Sequence, residues 1–393
     1  MRRFALAAGW AALLVALGGC VTLRHAPPPP GSAKFGSKKV VLPVTLIDDF
    51  LIVRTKGDQN GPFHFLVDTG SSVTLVAPGF ARRYGAPERG VPATWVQVRS
   101  SDGRQTLLPA VTLTRIELGA ARFSSVPAVV YDMRTLSADL GVRIDAILGF
   151  PFFHDTEFTL DYPDRKLVLR PAAAAVEPAA PGIPYDDADK TPIVTVQLDG
   201  RSFPARIDSG IDEALTLNPA GLNPRFEYGP VVGRAPYTVA GSGVQHIGRL
   251  AGSLSLAGHP VARPVAELTS GVSAIGGGLL ADFSVTFDPR DRRVSFFRDD
   301  PEPIAIPGPR TPGLSFDKTP AYWRVVGVVP GSPAAAAGVE AGDLVTRIEG
   351  RPVGRWDLER YDALVANAER ISFTFLEGTR EVRKSLRVVA LVP

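Results

Sequence analysis

Beyond Val40 the apolar residues alternate with polar ones in short runs that are separated by Gly, Pro and Asp. This alternation predicts β-strands with one buried face, and the turn residues mark where the strands end. Helical periodicity is scarce in this part of the chain. The strand-like runs before residue 171 cover residues 41–53, 63–67, 73–76, 95–98, 115–118, 158–160 and 166–169.

Two proline-rich segments divide the chain. Residues 171–184 and 301–312 both have the composition of linkers. We therefore predict a first lobe over residues 40–170, a second lobe over residues 185–300 and a third domain over residues 313–393.

The order of features in the first lobe recurs in the second. An apolar strand runs into Asp68-Thr69-Gly70 in one lobe and into Asp208-Ser209-Gly210 in the other. Gly103 lies 35 residues beyond Asp68, and Gly243 lies 35 residues beyond Asp208. A repeat this long indicates two copies of a folded lobe and not a solenoid.

The composition excludes several classes of protein. The 43 basic residues barely exceed the 40 acidic ones and form no cluster, so we expect no nucleic-acid partner. One Cys and five widely spaced His exclude internal disulfides, Cys-based zinc sites and Fe–S clusters, and argue against a zinc hydrolase. We expect no metal and no other cofactor.

The N-terminus has the pattern of an export signal. Arg2 and Arg3 precede an apolar run over residues 4–17, and small residues follow up to Cys20. This segment resembles the lipobox of bacterial lipoproteins, which implies a signal peptide over residues 1–19 and a lipid on Cys20. The alternative is an ordinary signal peptide with an unrelated cysteine.

The residues after Cys20 predict where the protein is anchored. Val21 is not the Asp that inner-membrane lipoproteins usually carry, so the resemblance implies the outer membrane of a Gram-negative cell, facing the periplasm. Residues 20–39 contain a Pro, Gly and Ser-rich tether that is expected to be extended. The lipid anchor would make the membrane a partner of the protein.

An Asp-Thr/Ser-Gly turn brings one carboxyl group to a strand end, and a single copy is an ordinary β-turn. Two copies in two similar lobes allow Asp68 and Asp208 to meet across a pseudo-twofold axis. Two adjacent carboxyl groups cannot both ionise, so they share one proton. One of them can then take a proton from water while the other donates to a substrate carbonyl.

These motifs resemble those of the pepsin- and retropepsin-type aspartic proteases over roughly residues 40–300. Each Asp motif is followed in its lobe by two apolar residues and a glycine, namely Ile147-Leu148-Gly149 and Ala274-Ile275-Gly276. The resemblance implies two acid-protease-like β-barrel lobes in a mainly β protein. It implies an endopeptidase that acts on protein or peptide substrates, with Asp68 and Asp208 as the catalytic dyad.

The resemblance also implies supporting residues and two flaps. The hydroxyl groups of Thr69 and Ser209 would bond across the lobe interface, next to Gly70 and Gly210, and Ser71 could bond the outer oxygen of Asp68. Trp95 and Tyr237 could replace a flap tyrosine, although we expect both to pack in the core or on a strand face. The candidates for the flap tips are Ser101, Asp102 and Gly103 in the first lobe and Gly241, Ser242 and Gly243 in the second.

The second motif departs from the family pattern. Ile211 and Asp212 follow it, so Asp208 lacks a partner like Ser71. If Asp212 and Glu213 point inward they raise the pKa values of the dyad, and if they point outward, as we expect, they are solvated turn residues.

The third domain resembles a PDZ domain, a small α+β fold. The run over residues 325–350 has a strand, Pro330-Gly331-Ser332-Pro333-Ala334, a small helix and a Gly-Asp turn in the order of that family. A helix is predicted where Leu358, Tyr361, Leu364 and Val365 recur. Backbone N–H groups of the carboxylate loop could bind polypeptide C-termini, and this loop consists of Gly313, Leu314, Ser315 and Phe316.

A peptide in such a domain adds as a strand, and we expect it beside residues 321–326 with the helix over 358–365 as the opposite wall. A blocked groove is the alternative. For the whole chain the alternatives are an inactive protease-like lipoprotein that binds peptides or proteins as a scaffold, and a serine hydrolase. The latter is disfavoured because Ser242 and Ser253 lack the Gly-x-Ser-x-Gly signature.

Overall fold

The structure is a computed structural model that describes residues 31–56, 61–86, 95–99, 105–172, 180–233 and 246–393. It is mainly β, with several sheets and a small C-terminal PDZ-like domain, which confirms the predicted fold class. In the described residues one sheet of fourteen strands contains strands of both lobes, a sheet of nine strands belongs to the second lobe, and no closed barrel is assigned.

The described part of the first lobe consists of strands and two α-helices. Its helices are α1 (Pro78–Tyr84) and α2 (Arg134–Asp139). Its strands are β1 (Ser32–Phe35), β2 (Val40–Ile47), β3 (Phe50–Thr55), β4 (Phe63–Asp68), β5 (Thr74–Val76), β6 (Trp95–Arg99), β7 (Gln105–Leu118), β8 (Ala121–Val130), β9 (Ala146–Gly149), β10 (Thr156–Asp161) and β11 (Lys166–Pro171).

The second lobe contains helix α3 (Gly277–Leu280). Its strands are β12 (Gly182–Pro184), β13 (Ile193–Leu198), β14 (Arg201–Ile207), β15 (Leu215–Leu217), β16 (Phe226–Val232), β17 (His246–Leu250), β18 (Ser253–Leu256), β19 (His259–Ala262), β20 (Val265–Leu268), β21 (Ser273–Ile275), β22 (Ser284–Asp288) and β23 (Arg293–Phe297).

The C-terminal domain contains α4 (Pro333–Ala336) and α5 (Leu358–Asn367). Its strands are β25 (Leu314–Lys318), β26 (Trp323–Val328), β27 (Leu344–Ile348), β28 (Arg351–Pro352), β29 (Arg370–Glu377) and β30 (Arg380–Arg387), and a separate pair joins β24 (Arg310–Thr311) to β31 (Val389–Ala390).

The two lobes share a sheet that places their symmetry axis. In the order β12-β23-β22-β10-β11-β2, strand β10 of the first lobe pairs antiparallel with β22 of the second. Thr159 lies opposite Thr286, its counterpart in the repeat, and their hydroxyl oxygens are 2.8 Å apart. Phe158 stacks on Phe287 beside this pair, with ring centroids 4.7 Å apart. A residue that faces its own counterpart marks the pseudo-twofold axis between the lobes.

Candidate active site

In each lobe the Asp motif lies at the end of a strand that pairs with a buried parallel strand. β4 pairs parallel with β9, and this register sets Asp68 beside Gly149. In the second lobe β14 pairs parallel with β21, and the Asp208 N–H donates to the Ile275 carbonyl oxygen at 2.9 Å. Val67 and Ile207 are fully buried, so the alternation along each strand turns the following Asp away from its lobe's core.

The two aspartates meet across the lobe interface. A Cβ atom added to Gly70 would lie 2.0 Å from Cγ of Asp208, and one added to Gly210 would lie 2.3 Å from Cγ of Asp68. Each carboxyl group therefore packs directly on the glycine of the opposite motif. Only glycine leaves room for this contact, because every other residue places a carbon where the carboxyl group lies.

Thr69 and Ser209 hold the two motifs together. The Thr69 hydroxyl donates to the Ile207 carbonyl oxygen at 2.7 Å, and the Ser209 hydroxyl donates to the Val67 carbonyl oxygen at 2.9 Å. Each hydroxyl oxygen also accepts the opposite backbone N–H at 3.0 Å. Both side chains are fully buried, so loss of either hydroxyl leaves unpaired polar groups inside the protein.

The two carboxyl groups titrate as an interacting pair. Burial, and next the adjacent charge of Asp208, raise the pKa of Asp68 to about 7. Burial also raises the pKa of Asp208, while Arg206 and the Gly210 N–H act in the opposite direction. Buried Tyr162 lies near the pair, and burial followed by the charges of Asp49, Asp208 and Asp68 raises its pKa. The pair therefore retains a proton until the pH rises through about 7.

The oxygens of the two carboxyl groups differ in their partners. Asp208 Oδ1 accepts the Gly210 N–H at 3.0 Å. Asp68 Oδ1 is buried and has no hydrogen-bond partner among the described residues. The expected bond from the Ser71 hydroxyl to Asp68 is wrong, because that hydroxyl donates to the Val73 carbonyl oxygen at 2.8 Å. Ser71 contributes its backbone N–H instead, which together with that of Gly70 lowers the pKa of Asp68.

Arg206 is the residue of this site that the motif search did not find. Its Nε atom lies 3.4 Å from Oδ2 of Asp208, and its Nη1 atom donates to the Gly70 carbonyl oxygen at 3.3 Å. The signal was available, because residues two apart on a strand share a face. The corresponding residue of the first lobe is Leu66, which is buried.

The loop after the second motif does not behave as the solvated turn that we expected. Asp212 and Glu213 are half-buried, because the loop packs on Gly276, whose added Cβ would lie 2.1 Å from the Glu213 carbonyl oxygen. The charge of Asp212 raises the pKa of Asp49, an effect second to burial. Neither acid is among the groups that shift the pKa of Asp68 or Asp208.

An apolar cluster flanks Asp68 on the first-lobe side. It joins Leu66, two residues before Asp68, to Ile147 of β9 and to partly buried residues of β6, β7 and α2. We call it the first-lobe cluster, and its buried members are Ile47, Ile52, Leu66, Leu75, Val129, Met133, Leu140, Ile144 and Ile147. Trp95 begins β6 and lies outside this cluster with 57% of its surface exposed, so it is on a strand but not in the core.

Several predicted residues cannot be placed. The flap-tip candidates Ser101, Asp102, Gly103, Gly241, Ser242 and Gly243 lie outside the described residues, as do Tyr237 and Cys20. Within the described ranges no group of three or more His, Cys, Asp or Glu residues is arranged to hold a metal ion. No helix in the same ranges is long and apolar enough to cross a membrane.

The C-terminal domain corrects the predicted position of a bound strand. β26 pairs with β25 on one side and with β27 on the other, so no peptide can add beside residues 321–326. In the described residues the outer edge of β25 carries no paired strand. The predicted carboxylate loop lies at the start of this edge strand, where Gly313 has a φ of +94° and the side chains of Leu314, Ser315 and Phe316 are buried.

Comparison with known protein families agrees with both parts of this description. Residues 53–152 match the aspartyl protease family. Residues 324–376 match the PDZ domain family. The first match contains Asp68 and ends before the second lobe, so the pairing with Asp208 rests on the geometry above. No curated protein is similar enough to this chain to serve as a relative.

Proposed function

We propose that the protein is an aspartic endopeptidase that hydrolyses peptide bonds with Asp68 and Asp208. The observation that carries this proposal is the packing of each carboxyl group on the opposite glycine, with burial and the adjacent charge raising the pKa of Asp68 to about 7. A pair that shares one proton contains an acid and a base at the same place, which is what water-mediated amide hydrolysis needs.

The reaction balances with this single proton. One oxygen–hydrogen bond of the attacking water breaks, its proton passes to the ionised carboxylate, and its oxygen bonds to the substrate carbonyl carbon. The protonated carboxyl group gives its proton to the carbonyl oxygen, and a neutral gem-diol forms. The leaving nitrogen then takes the first proton, the second carboxylate takes one gem-diol proton, the C–N bond breaks and the starting protonation state returns.

We infer that the substrate is an extended and mainly apolar segment. Leu66, two residues before Asp68, and Ile147 belong to the first-lobe cluster, on which partly buried residues of β6 and β7 pack, so apolar side chains lie close to the dyad. A cleft between two β lobes binds a strand and buries its side chains.

The C-terminal domain is positioned to deliver such a strand. Phe316 of β25 and Tyr361 of α5 pack edge to face, with ring centroids 5.8 Å apart, and form the floor between that strand and that helix. A peptide whose carboxylate lies at the loop beginning with Gly313, antiparallel to β25, would emerge at the end of β25 that contains Asp317 and Lys318.

That end of the groove lies against the first lobe. Lys318 and Asp317 act electrostatically on Asp139 of α2, whose pKa burial raises to about 6. A Cβ atom on Gly141 would lie 3.1 Å from Cβ of Asp357, the N-cap residue of α5. Because Leu136 of α2 packs on the first-lobe cluster, a chain leaving the groove would pass toward the cleft.

A peptide library with free and amidated C-termini tests the protease and the delivery together. We expect cleavage between apolar residues, and we expect amidation to lower kcat/KM by about tenfold or more, since it removes a charge-assisted contact. Mass spectrometry of the products gives the sites and the rates. Cleavage mainly beside charged residues contradicts the proposed cleft, and equal rates for both C-termini contradict delivery by the PDZ domain.

We further propose that a lipid on Cys20 anchors the enzyme in the cell envelope. The support is the charged, apolar and small-residue pattern before Cys20 and the proline-rich tether after it. The Cys20→Ser variant is expected to leave the membrane fraction and appear in the periplasmic fraction. A variant that stays in the membrane fraction argues against a lipid on this residue.

A further inference from the structure

Arg206 connects the two Asp motifs. It lies on β14 two residues before Asp208, and its side chain is about one quarter exposed at 26%. The Nε atom is 3.4 Å from Asp208 Oδ2, while Nη1 donates to the Gly70 carbonyl oxygen of the opposite motif. The second contact fixes the guanidinium at the lobe interface, so the cation stays beside the dyad.

This cation breaks the pseudo-twofold symmetry of the site. The first-lobe counterpart of Arg206 is Leu66, which is 3% exposed and belongs to an apolar cluster. Asp208 therefore has a permanent positive charge on its own strand, and Asp68 has a hydrocarbon. A carboxylate beside a guanidinium is easier to ionise than one beside an apolar side chain.

The hydrogen bonds of the two carboxyl groups also favour ionisation of Asp208 over ionisation of Asp68. Asp208 Oδ1 accepts the Gly210 N–H, and Asp208 Oδ2 forms an ion pair with Arg206 Nε at 3.4 Å that lacks hydrogen-bond geometry. Asp68 accepts backbone N–H groups from Gly70 and Ser71, but its Oδ1 is buried without a partner. An N–H donor and an adjacent cation favour a carboxylate ion, whereas a buried oxygen without a donor favours the protonated acid.

We propose that Arg206 is a positioning residue that holds the single proton of the dyad on Asp68 and keeps Asp208 ionised. Asp208 is then the base that takes a proton from the attacking water, and Asp68 is the acid that protonates the substrate carbonyl oxygen. This assignment of roles rests on the proposed peptidase activity, whereas the position of the proton in the free protein does not.

We compared the charged and titratable groups around the dyad to find which of them favours ionisation of Asp208. Among the residues that the structure describes, Arg206 is the cation that acts on both aspartates, and the two aspartates act on each other. Tyr162 faces the pair from the end of β10, but burial and the charges of Asp49, Asp208 and Asp68 raise its pKa, so it stays neutral. Removing Arg206 therefore removes the positive charge that the described residues place beside the dyad.

Thermal unfolding of isosteric variants locates the proton without any substrate. Asn has the shape and neutrality of a protonated Asp, so at about pH 6, below the pKa of Asp68, Asp68→Asn should unfold at a Tm no lower than that of the wild type. Asp208→Asn leaves the guanidinium without its carboxylate and should unfold at a lower Tm, by several degrees. The double variant Arg206→Leu/Asp208→Asn should recover most of that loss.

The pH dependence of wild-type stability follows from the same proton. The pKa of Asp68 is raised from 3.8 to about 7, so the folded protein keeps a proton that the unfolded chain releases. This stabilisation is complete below about pH 4 and is lost as the pH rises through about 7. Asp68→Asn should remove this part of the decline. If Asp208→Asn removes it instead, or if both single variants have the same Tm, the proposed proton position is wrong.

The pH profile of kcat/KM tests the role of Arg206 in turnover. Arg206→Leu installs the residue of the first lobe, and the acidic limb should move up by about 1–3 pH units, because the pKa of Asp208 rises without its cation. Arg206→Lys keeps the charge and should leave that limb within about half a unit. Arg54→Leu, which removes an exposed arginine of β3, is the matched control and should leave the profile unchanged.

The two kinds of measurement separate this inference from the proposed function. If the wild type cleaves no peptide but the Tm values follow the expected order, the peptidase is rejected and the proton position stands. If the wild type cleaves peptides and Arg206→Leu leaves the acidic limb in place, the role of Arg206 is rejected and the peptidase stands.

Discussion

Asp68→Asn and Asp208→Asn should each lower kcat/KM by at least about 10³-fold between pH 5 and 7. Each substitution removes either the acid or the base of the pair, and an acid or base in the right position contributes about 10² to 10⁴ in rate. The carboxyl groups are replaced by amides of nearly the same shape, so the packing on Gly70 and Gly210 is retained. A quenched fluorescent peptide taken from the library cleavage sites gives the rates.

Asp282→Asn is the control for these substitutions. Asp282 is also a half-buried carboxyl group whose pKa burial raises, but it pairs with Arg298 at 3.7 Å and does not act on the dyad. It should keep kcat/KM within about twofold, in line with a change remote from the reacting groups. Equal rates for the wild type and Asp68→Asn would favour the inactive scaffold and remove the peptidase from the account.

Gly70→Ala should lower kcat/KM by about 10²-fold or more and lower the Tm in addition. The new Cβ would lie 2.0 Å from Cγ of Asp208, so the carboxyl group must move away from Asp68 or the lobes must separate. A displacement of about 1 Å at reacting groups costs on the order of 10² in rate, and overpacking of a tight contact costs about 1–3 kcal/mol in the free energy of unfolding. Kinetics and thermal unfolding of the same preparation measure both effects.

The symmetry of the site supplies a second variant and a control. Gly210→Ala should have a similar effect, since its Cβ would lie 2.3 Å from Cγ of Asp68. Gly79→Ala lies in helix α1, where the nearest atom to the new Cβ is 3.9 Å away, and should keep both activity and Tm. If Gly70→Ala retains activity within tenfold of the wild type, the two carboxyl groups are not packed as described.

Much of the site could be predicted from the sequence, because glycine turns and the alternation of side chains along a strand depend only on neighbouring residues. An apolar run that ends in Asp-Thr-Gly or Asp-Ser-Gly predicts a carboxyl group at a strand end, and the repeat predicts that there are two of them. The structure brings Asp68 and Asp208 together and pairs Thr69 with Ser209. The predicted fold class, mainly β with a PDZ-like domain, is confirmed.

Long-range packing accounts for what the sequence did not predict. Residues 105–114 and 121–130 form most of β7 and the whole of β8, but Pro109 and Pro127 hid these strands from a pattern search. The long run over residues 41–53 is a hairpin, because Asp48 and Asp49 adopt positive φ angles of 50° and 63° and reverse the chain.

Two predictions about functional positions, the peptide-binding strand and the Ser71 hydroxyl, were wrong because other backbone groups occupy the predicted partners' places. We predicted that a peptide adds beside residues 321–326, but β25 and β27 pair with the two edges of β26. We predicted that the Ser71 hydroxyl bonds Asp68, but in the turn it donates to the Val73 carbonyl oxygen. Neither choice is encoded in the residues alone, since each depends on which backbone group the fold brings within reach.

Carboxyl ¹³C NMR of protein labelled at the Asp side chains tests the central claim most directly. The account predicts that the Asp68 resonance titrates near pH 7, well above the ordinary value of 3.8, and that this transition disappears in Asp68→Asn. The Asp208 resonance should respond to the same event, because the two groups form one interacting pair. Two independent transitions near pH 4 would show that the carboxyl groups lie apart, and the aspartic peptidase would have to be abandoned.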